Sequence, residues 1–171
     1  MKKILLVLLL SFGALFLASC DRAEPSVWTV EIVENSIERT PLESLEFGRM
    51  LDEMGYFVTN STHEFPTEEV GIVLVAVGGN FNLEFWGLTS EEAAIGLINV
   101  TRAELEEIYE EHSGHEIVEV IGANYEIITH DNGERFLIIS RIEDTIVYIN
   151  MDPNVVDKDM IIGIITEIGY M

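Results

Sequence analysis

The chain has 171 residues, and its 31 acidic and nine basic side chains give a formal net charge of −22 at neutral pH. A field of that sign repels nucleic acid and anionic lipid headgroups, so both are excluded as electrostatic partners. The single cysteine excludes a disulfide framework and a cluster of cysteine metal ligands.

The first residues in chain order have the three parts of a secretory signal. Lys2 and Lys3 precede a mostly apolar stretch of about 15 residues, and small residues close the segment. A permanent anchor helix is the alternative, but the stretch falls short of the roughly 20 residues that cross a bilayer core. Leu17-Ala18-Ser19-Cys20 looks like the lipobox of bacterial lipoproteins, in which the cysteine is diacylated and becomes the new N-terminus. We therefore expect residues 1–19 to be a signal peptide and Cys20 to be lipidated.

Lipid on Cys20 would attach the chain to the extracytoplasmic face of the cell membrane. Cleavage before this residue removes two lysines and no acidic side chain, so the mature chain has no electrostatic attraction to anionic headgroups. Residues 20–35 are predicted to comprise the lipidated cysteine, a short polar tether and a possible first strand that alternates in part from Trp28 to Val33.

The next segment predicts a helix and three strands. Thr40-Pro41-Leu42-Glu43 has the sequence of a capping box with proline in the first turn, and it predicts a helix that ends at Gly55. A short strand is predicted from Tyr56 to Thr59. Val70 to Val77 and Phe81 to Leu88 predict a hairpin around a glycine-rich turn.

A second capping box, Thr89-Ser90-Glu91-Glu92, predicts the longest helix. A further capping pattern begins at Thr101 and allows a break there, and Gly114 is the predicted stop. Four strands with short turns are then predicted: Glu116 to Ile121, Asn124 to His130, Phe136 to Ile142 and Thr145 to Met151. Asp152-Pro153-Asn154 is predicted to begin a last helix that ends at Gly169.

Residues 36–171 therefore predict one α+β domain with three helices and about six to seven strands, in the order α-β-β-β-α-β-β-β-β-α. The short connections favour a mainly antiparallel sheet with helices on one face. Two helices end alike, as Glu53-Met54-Gly55-Tyr56 and Glu167-Ile168-Gly169-Tyr170. We interpret this likeness as repeated C-terminal capping, with an internal duplication as the alternative.

Several predicted strands are apolar on both faces, whereas an antiparallel sheet with one wet face alternates. Either helices or the N-terminal segment cover the second face, or that face forms an apolar cup for a small-molecule or protein partner. Five side chains of these strands are weak candidates for binding: Trp86, Leu137, Ile139, Val147 and Ile149.

Motifs that carry chemistry are few. His112 and His115, with Glu111 beside them, are weak candidates for metal ligands, but a polar helix end explains them better because no second cluster supplies further ligands. We find no nucleophile motif and no phosphate-binding loop, and we expect no catalytic residue and no cofactor.

The arrangement of the chain resembles that of small, uncharacterised lipoproteins of Gram-positive bacteria. The resembling segments are Leu51 to Tyr56, Leu83 to Thr89, Ser140 to Asn150 and Glu167 to Tyr170. The resemblance implies a lipobox signal peptide followed by one α+β domain, and it transfers no catalytic residue. The last helix of that group is usually more basic, whereas here it has only Lys158.

Two hypotheses follow. The first is a membrane-anchored extracytoplasmic lipoprotein with a non-enzymatic binding or interaction module. The alternative is a metal-dependent (calcium or zinc) or hydrolytic envelope enzyme that uses acidic and histidine residues.

Overall fold

The computed structural model describes residues 25–111 and 113–171. The predicted signal peptide, Cys20 and His112 lie outside these residues. The described chain forms eight strands: β1 (Val27–Ile32), β2 (Phe57–Asn60), β3 (Val70–Val77), β4 (Asn82–Leu88), β5 (Glu116–Ile121), β6 (Tyr125–Asp131), β7 (Phe136–Ile142) and β8 (Thr145–Met151). Its helices are α1 (Ser44–Glu53), α2 (Glu91–Glu111) and α3 (Lys158–Glu167). Within the described ranges, no helix is both long enough and apolar enough to span a membrane.

All the strands belong to one sheet with the order β1-β5-β6-β7-β8-β4-β3-β2. Neighbouring strands are antiparallel except β1, which pairs in parallel with β5 at one edge. The predicted α+β class is confirmed. The possible first strand is present as β1, and it brings the number of strands in the sheet to eight. Short turns join β3 to β4 and link β5, β6, β7 and β8 in succession as antiparallel pairs, whereas β4 and β8 are antiparallel neighbours across a long connection that includes α2. The parallel pair of β1 and β5 also has the long connection that parallel neighbours need.

Helices cover both faces of the sheet rather than one. Phe47 and Leu51 of α1 and Ile161 of α3 share a buried cluster with the first face. Ala94 and Ile98 of α2 belong to a second cluster on the other face. Coverage by helices on both sides of the sheet therefore explains why several strands are apolar on both faces.

The first helix begins later than its capping box predicts. Ser44 is its first residue, and the residue before it makes no side-chain cap bond. Upstream, the Arg39 N–H donates to Asn124 Oδ1 at 2.9 Å and the Leu42 N–H donates to Tyr170 Oη at 3.3 Å. These bonds to distant parts of the domain hold the segment outside the helix, so the prediction of a cap at Thr40 is wrong.

The other two helices also begin later than predicted. Helix α2 continues through Thr101 without the break that the sequence allowed there. Ser90, rather than Thr89, accepts the N–H of Ala93 at 3.2 Å at the start of α2. Asp157 caps α3 by accepting from Asp159. The helix thus begins after Asp157, several residues beyond the predicted start.

The two similar helix ends form the same motif. Gly55 and Gly169 adopt φ of 91° and 86°, which other residues rarely do. The N–H groups of Tyr56 and Tyr170 each donate 2.9 Å to the carbonyl five residues back, as in a Schellman motif. Shared capping geometry therefore explains the repeated sequence.

Candidate binding groove

The weak metal candidates give no complete ligand set. Glu111 is exposed at the end of α2, and His112 lies outside the described residues. His115 is buried, and its Nδ1 lies 2.8 Å from the Nε2 of His130, so one ring donates a hydrogen bond to the other. Among residues 25–111 and 113–171, no group of three His, Cys, Asp or Glu residues is placed to hold a metal ion.

The histidine pair predicts a loss of stability in mild acid. Burial, and then the charge of His115 and of Arg135, lowers the pKa of His130. Between that value and the unfolded pKa of about 6.5, the unfolded chain binds a proton that the folded chain does not. The free energy of unfolding should therefore fall as pH decreases through this window. Chemical denaturation across it should show a flatter profile for His130→Gln. The control is His63→Gln, at an exposed histidine. If the free energy of unfolding depends on pH as steeply in His130→Gln as in this control, His130 is not the group responsible.

The five predicted binding residues do not share one face. Val147 and Ile149 are fully buried in the cluster beneath α1 and α3. Leu137 and Ile139 are buried beneath α2, and Trp86 packs at the margin of that same cluster. The register of β7 against β8 explains this division. Ile139 lies directly opposite Tyr148, so Val147 and Ile149, on either side of Tyr148 in sequence, point to the other face. Directly opposed residues of an antiparallel pair point to the same side.

An open groove follows one side of α2 on this second face, and we call it the α2 groove. It consists of three adjoining cavities with volumes of about 750, 220 and 530 Å³. The first two share Trp86, Leu97 and Val100 in their walls, and the last two share Glu84 and Tyr148. Helix α2 therefore covers only part of the second face and leaves a channel beside it, which is mostly apolar in the first two cavities and mostly polar in the third.

Aromatic side chains form much of the groove's floor. The rings of Phe65 and Trp86 meet edge to face, with centroids 4.4 Å apart. Trp86 and Tyr148 are half-buried, and Val100 on the helical wall is 57% exposed. Ile139 reaches the middle cavity, so two of the five predicted binding residues, Trp86 and Ile139, do line the groove.

Glu84 is a half-buried carboxylate within this apolar surface. Its Oε2 accepts a hydrogen bond of 2.9 Å from the Trp86 indole N–H. Burial raises the pKa of Glu84, the bond from Trp86 opposes that rise, and the charge of Glu64 adds to it. In the part of the chain that the structure describes, no lysine or arginine forms an ion pair with Glu84.

The opposite side of α2 is held to the sheet by charge. Arg102 forms ion pairs with Glu119 and Glu126, which are 4% and 8% exposed. Burial and the neighbouring Glu119 carboxyl raise the pKa of Glu126, while Arg102 opposes the rise. Because Arg102 and the body of α2 lie over these carboxyls, their arrangement is accounted for by helix docking.

Sequence reasoning missed Glu84, Glu119, Glu126 and His130. Each is a polar residue of β4, β5 or β6. Glu119, Glu126 and His130 each have a buried isoleucine two positions away on the same face, whereas Glu84 lies between Asn82 and the half-buried Trp86 on its face. Because side chains alternate between the two faces of a strand, the pattern of β5 and β6 could have placed Glu119, Glu126 and His130 on the face that α2 covers. The side chains that pair with these three residues come from other elements of the fold, and nothing in the sequence around each residue predicts them.

Comparison of the chain with protein-family models, with curated proteins and with solved structures finds no match.

Proposed function

We propose that the chain is an extracytoplasmic lipoprotein, anchored to the cell membrane by lipid on Cys20, whose α+β domain is a non-enzymatic binding module. The leader and the Leu17-Ala18-Ser19-Cys20 sequence support the anchor. The observation that carries the binding role is the α2 groove, an open channel beside the helix that packs on the second face of the sheet, with apolar and aromatic side chains along its first two cavities.

An envelope enzyme that uses metal, acidic or histidine residues is the alternative. Buried carboxyls with a raised pKa, such as Glu126, often occur at active sites. Structural ion pairs shift pKa values as well, and Arg102 pairs with both Glu119 and Glu126 beneath α2. Helix docking is the simpler account of this cluster, which is why the binding role is the one proposed.

Occupancy of the groove is testable with 1-hexanol, a small neutral apolar probe. In the full chain with Trp28→Phe, Trp86 is the sole tryptophan, so its fluorescence reports on the groove. Hexanol should change that fluorescence in a saturable way. Val100→Glu should weaken the binding about fivefold, because it removes an apolar wall of the groove.

The matched control is Ile95→Glu, since Ile95 lies on the same helix, is 38% exposed and is absent from the cavity walls. It should bind hexanol like the parent chain. Lack of a saturable response in the parent, or equal loss in both variants, would overturn the proposed groove.

A further inference from the structure

The α2 groove has acidic walls with no basic counterpart. Five glutamates line its three cavities: Glu64, Glu69, Glu84, Glu92 and Glu104. No lysine or arginine of residues 25–111 and 113–171 lines them. The cations nearest in sequence to these walls are engaged elsewhere, Arg102 with Glu119 and Arg141 with Glu91. The groove therefore presents a negative potential that no lysine or arginine of the described residues neutralises in its walls.

The middle cavity places a carboxylate among aromatic rings. Glu84 lies opposite Tyr148 in the pairing of β4 with β8, and Trp86 lies opposite Ile146. These four side chains form a square on the floor, with Leu97 and Val100 of α2 as the adjacent wall. A cation beside Glu84 would thus lie in a cavity that Trp86 and Tyr148 also line, and aromatic rings attract positive charge at their faces.

We propose that the α2 groove binds a small organic ammonium ion, with its charge at Glu84 and its apolar chain over Trp86. This inference rests on the proposed binding function. The half-buried Glu84 carboxylate accepts the Trp86 N–H but pairs with no cation among the described residues, so a neutral apolar ligand would bury its charge further and an anion would be repelled by it. The cavity at this point is about 220 Å³, which is smaller than the usual pockets for drug-sized ligands and suits a compact molecule.

The test compares three probes that share one apolar chain: hexylammonium, hexanol and hexanoate. The full Trp28→Phe chain is held in phosphatidylcholine nanodiscs at about 0.15 M salt, where screening limits attraction to charges within about 8 Å. Titrations follow the fluorescence of Trp86. Hexylammonium should bind at least about fivefold more tightly than hexanol, and hexanoate should bind more weakly than either.

Glu84→Gln is the decisive variant, because glutamine can still accept the Trp86 N–H but carries no charge. It should reduce the affinity for hexylammonium to the affinity that the same variant has for hexanol. Glu167→Gln changes the total charge equally at an exposed site on α3, and it should bind all three probes like the parent.

The outcomes separate this inference from the proposed function. Equal binding of hexanol and hexylammonium by the parent would overturn the ammonium site and leave the apolar groove intact. Equal losses in Glu84→Gln and Glu167→Gln would show a diffuse attraction to an acidic protein and would also overturn it. If no probe changes the fluorescence of Trp86, both the inference and the proposed groove fail.

Discussion

Cys20→Ser is expected to transfer the chain from the membrane fraction to the soluble fraction of cells that express it. Serine has no thiol to accept the diacylglyceryl group, and each lost acyl chain removes about 0.8 kcal/mol per buried CH₂. The acidic domain supplies no electrostatic attachment that could replace the lipid. Fractionation with immunoblotting measures the transfer, and a metabolically incorporated fatty acid should label the parent alone.

Folding should be unaffected by this change, because in the described part of the chain the first strand begins at Val27 and the residues of the buried clusters follow it. Thermal unfolding of the released variant should therefore match that of the parent. Ser19→Ala is the control: it keeps a small residue before the cysteine, and it should stay in the membrane fraction. A Cys20→Ser chain that stays membrane-bound as firmly as the parent would refute lipid anchoring.

Local patterns predicted the elements of this domain well. Strands β3, β5, β7 and β8 have the predicted bounds, since runs of β-branched residues between turn residues define both their type and their length. The glycines that follow α1 and α3, Gly55 and Gly169, also cap these helices as predicted, because the left-handed backbone that each cap needs depends on a single residue.

Contacts between distant parts of the chain determine the features that local patterns did not predict, namely the start of α1 and the position of β1 in the sheet. The segment around Thr40 could have capped a helix, but bonds from Arg39 and Leu42 to remote residues keep it extended. Strand β1 could pair with any free edge, and its parallel position beside β5 has no local signal.

The candidate site was predicted only in part. Two-faced apolar strands indicated a second buried surface, and Trp86 and Ile139 do line the α2 groove. Val147 and Ile149 point the other way because the register of β7 against β8 assigns the faces, and register depends on the turn. The position of α2 across the sheet, which leaves the groove open on one side, follows from its docking through Arg102 and from its packing.

That docking predicts a large effect for Arg102→Met. The variant leaves Glu119 and Glu126 buried without a cation, and breaking such a pair costs roughly 3–5 kcal/mol. Arg102 is partly exposed, so we expect about 3 kcal/mol of the free energy of unfolding to be lost at neutral pH. Chemical denaturation measures the loss. Arg49→Met is the matched control, because Arg49 pairs with glutamates on an exposed surface and should cost less than about 1 kcal/mol.

The pH dependence identifies the cause of the loss. Because the pKa of Glu126 is raised in the folded state, its contribution to stability is full below the unfolded pKa of about 4.3 and is lost as pH rises through the folded value. Without Arg102 the pKa of Glu126 should rise further, so the deficit of Arg102→Met should shrink in acid. Replacing all three charged residues by methionine should recover most of the stability at neutral pH, since an apolar cluster of similar volume has no uncompensated charge. A deficit that is the same at every pH, and that the triple variant retains, would mean that Arg102 acts through the packing of its aliphatic stem and not through its charge.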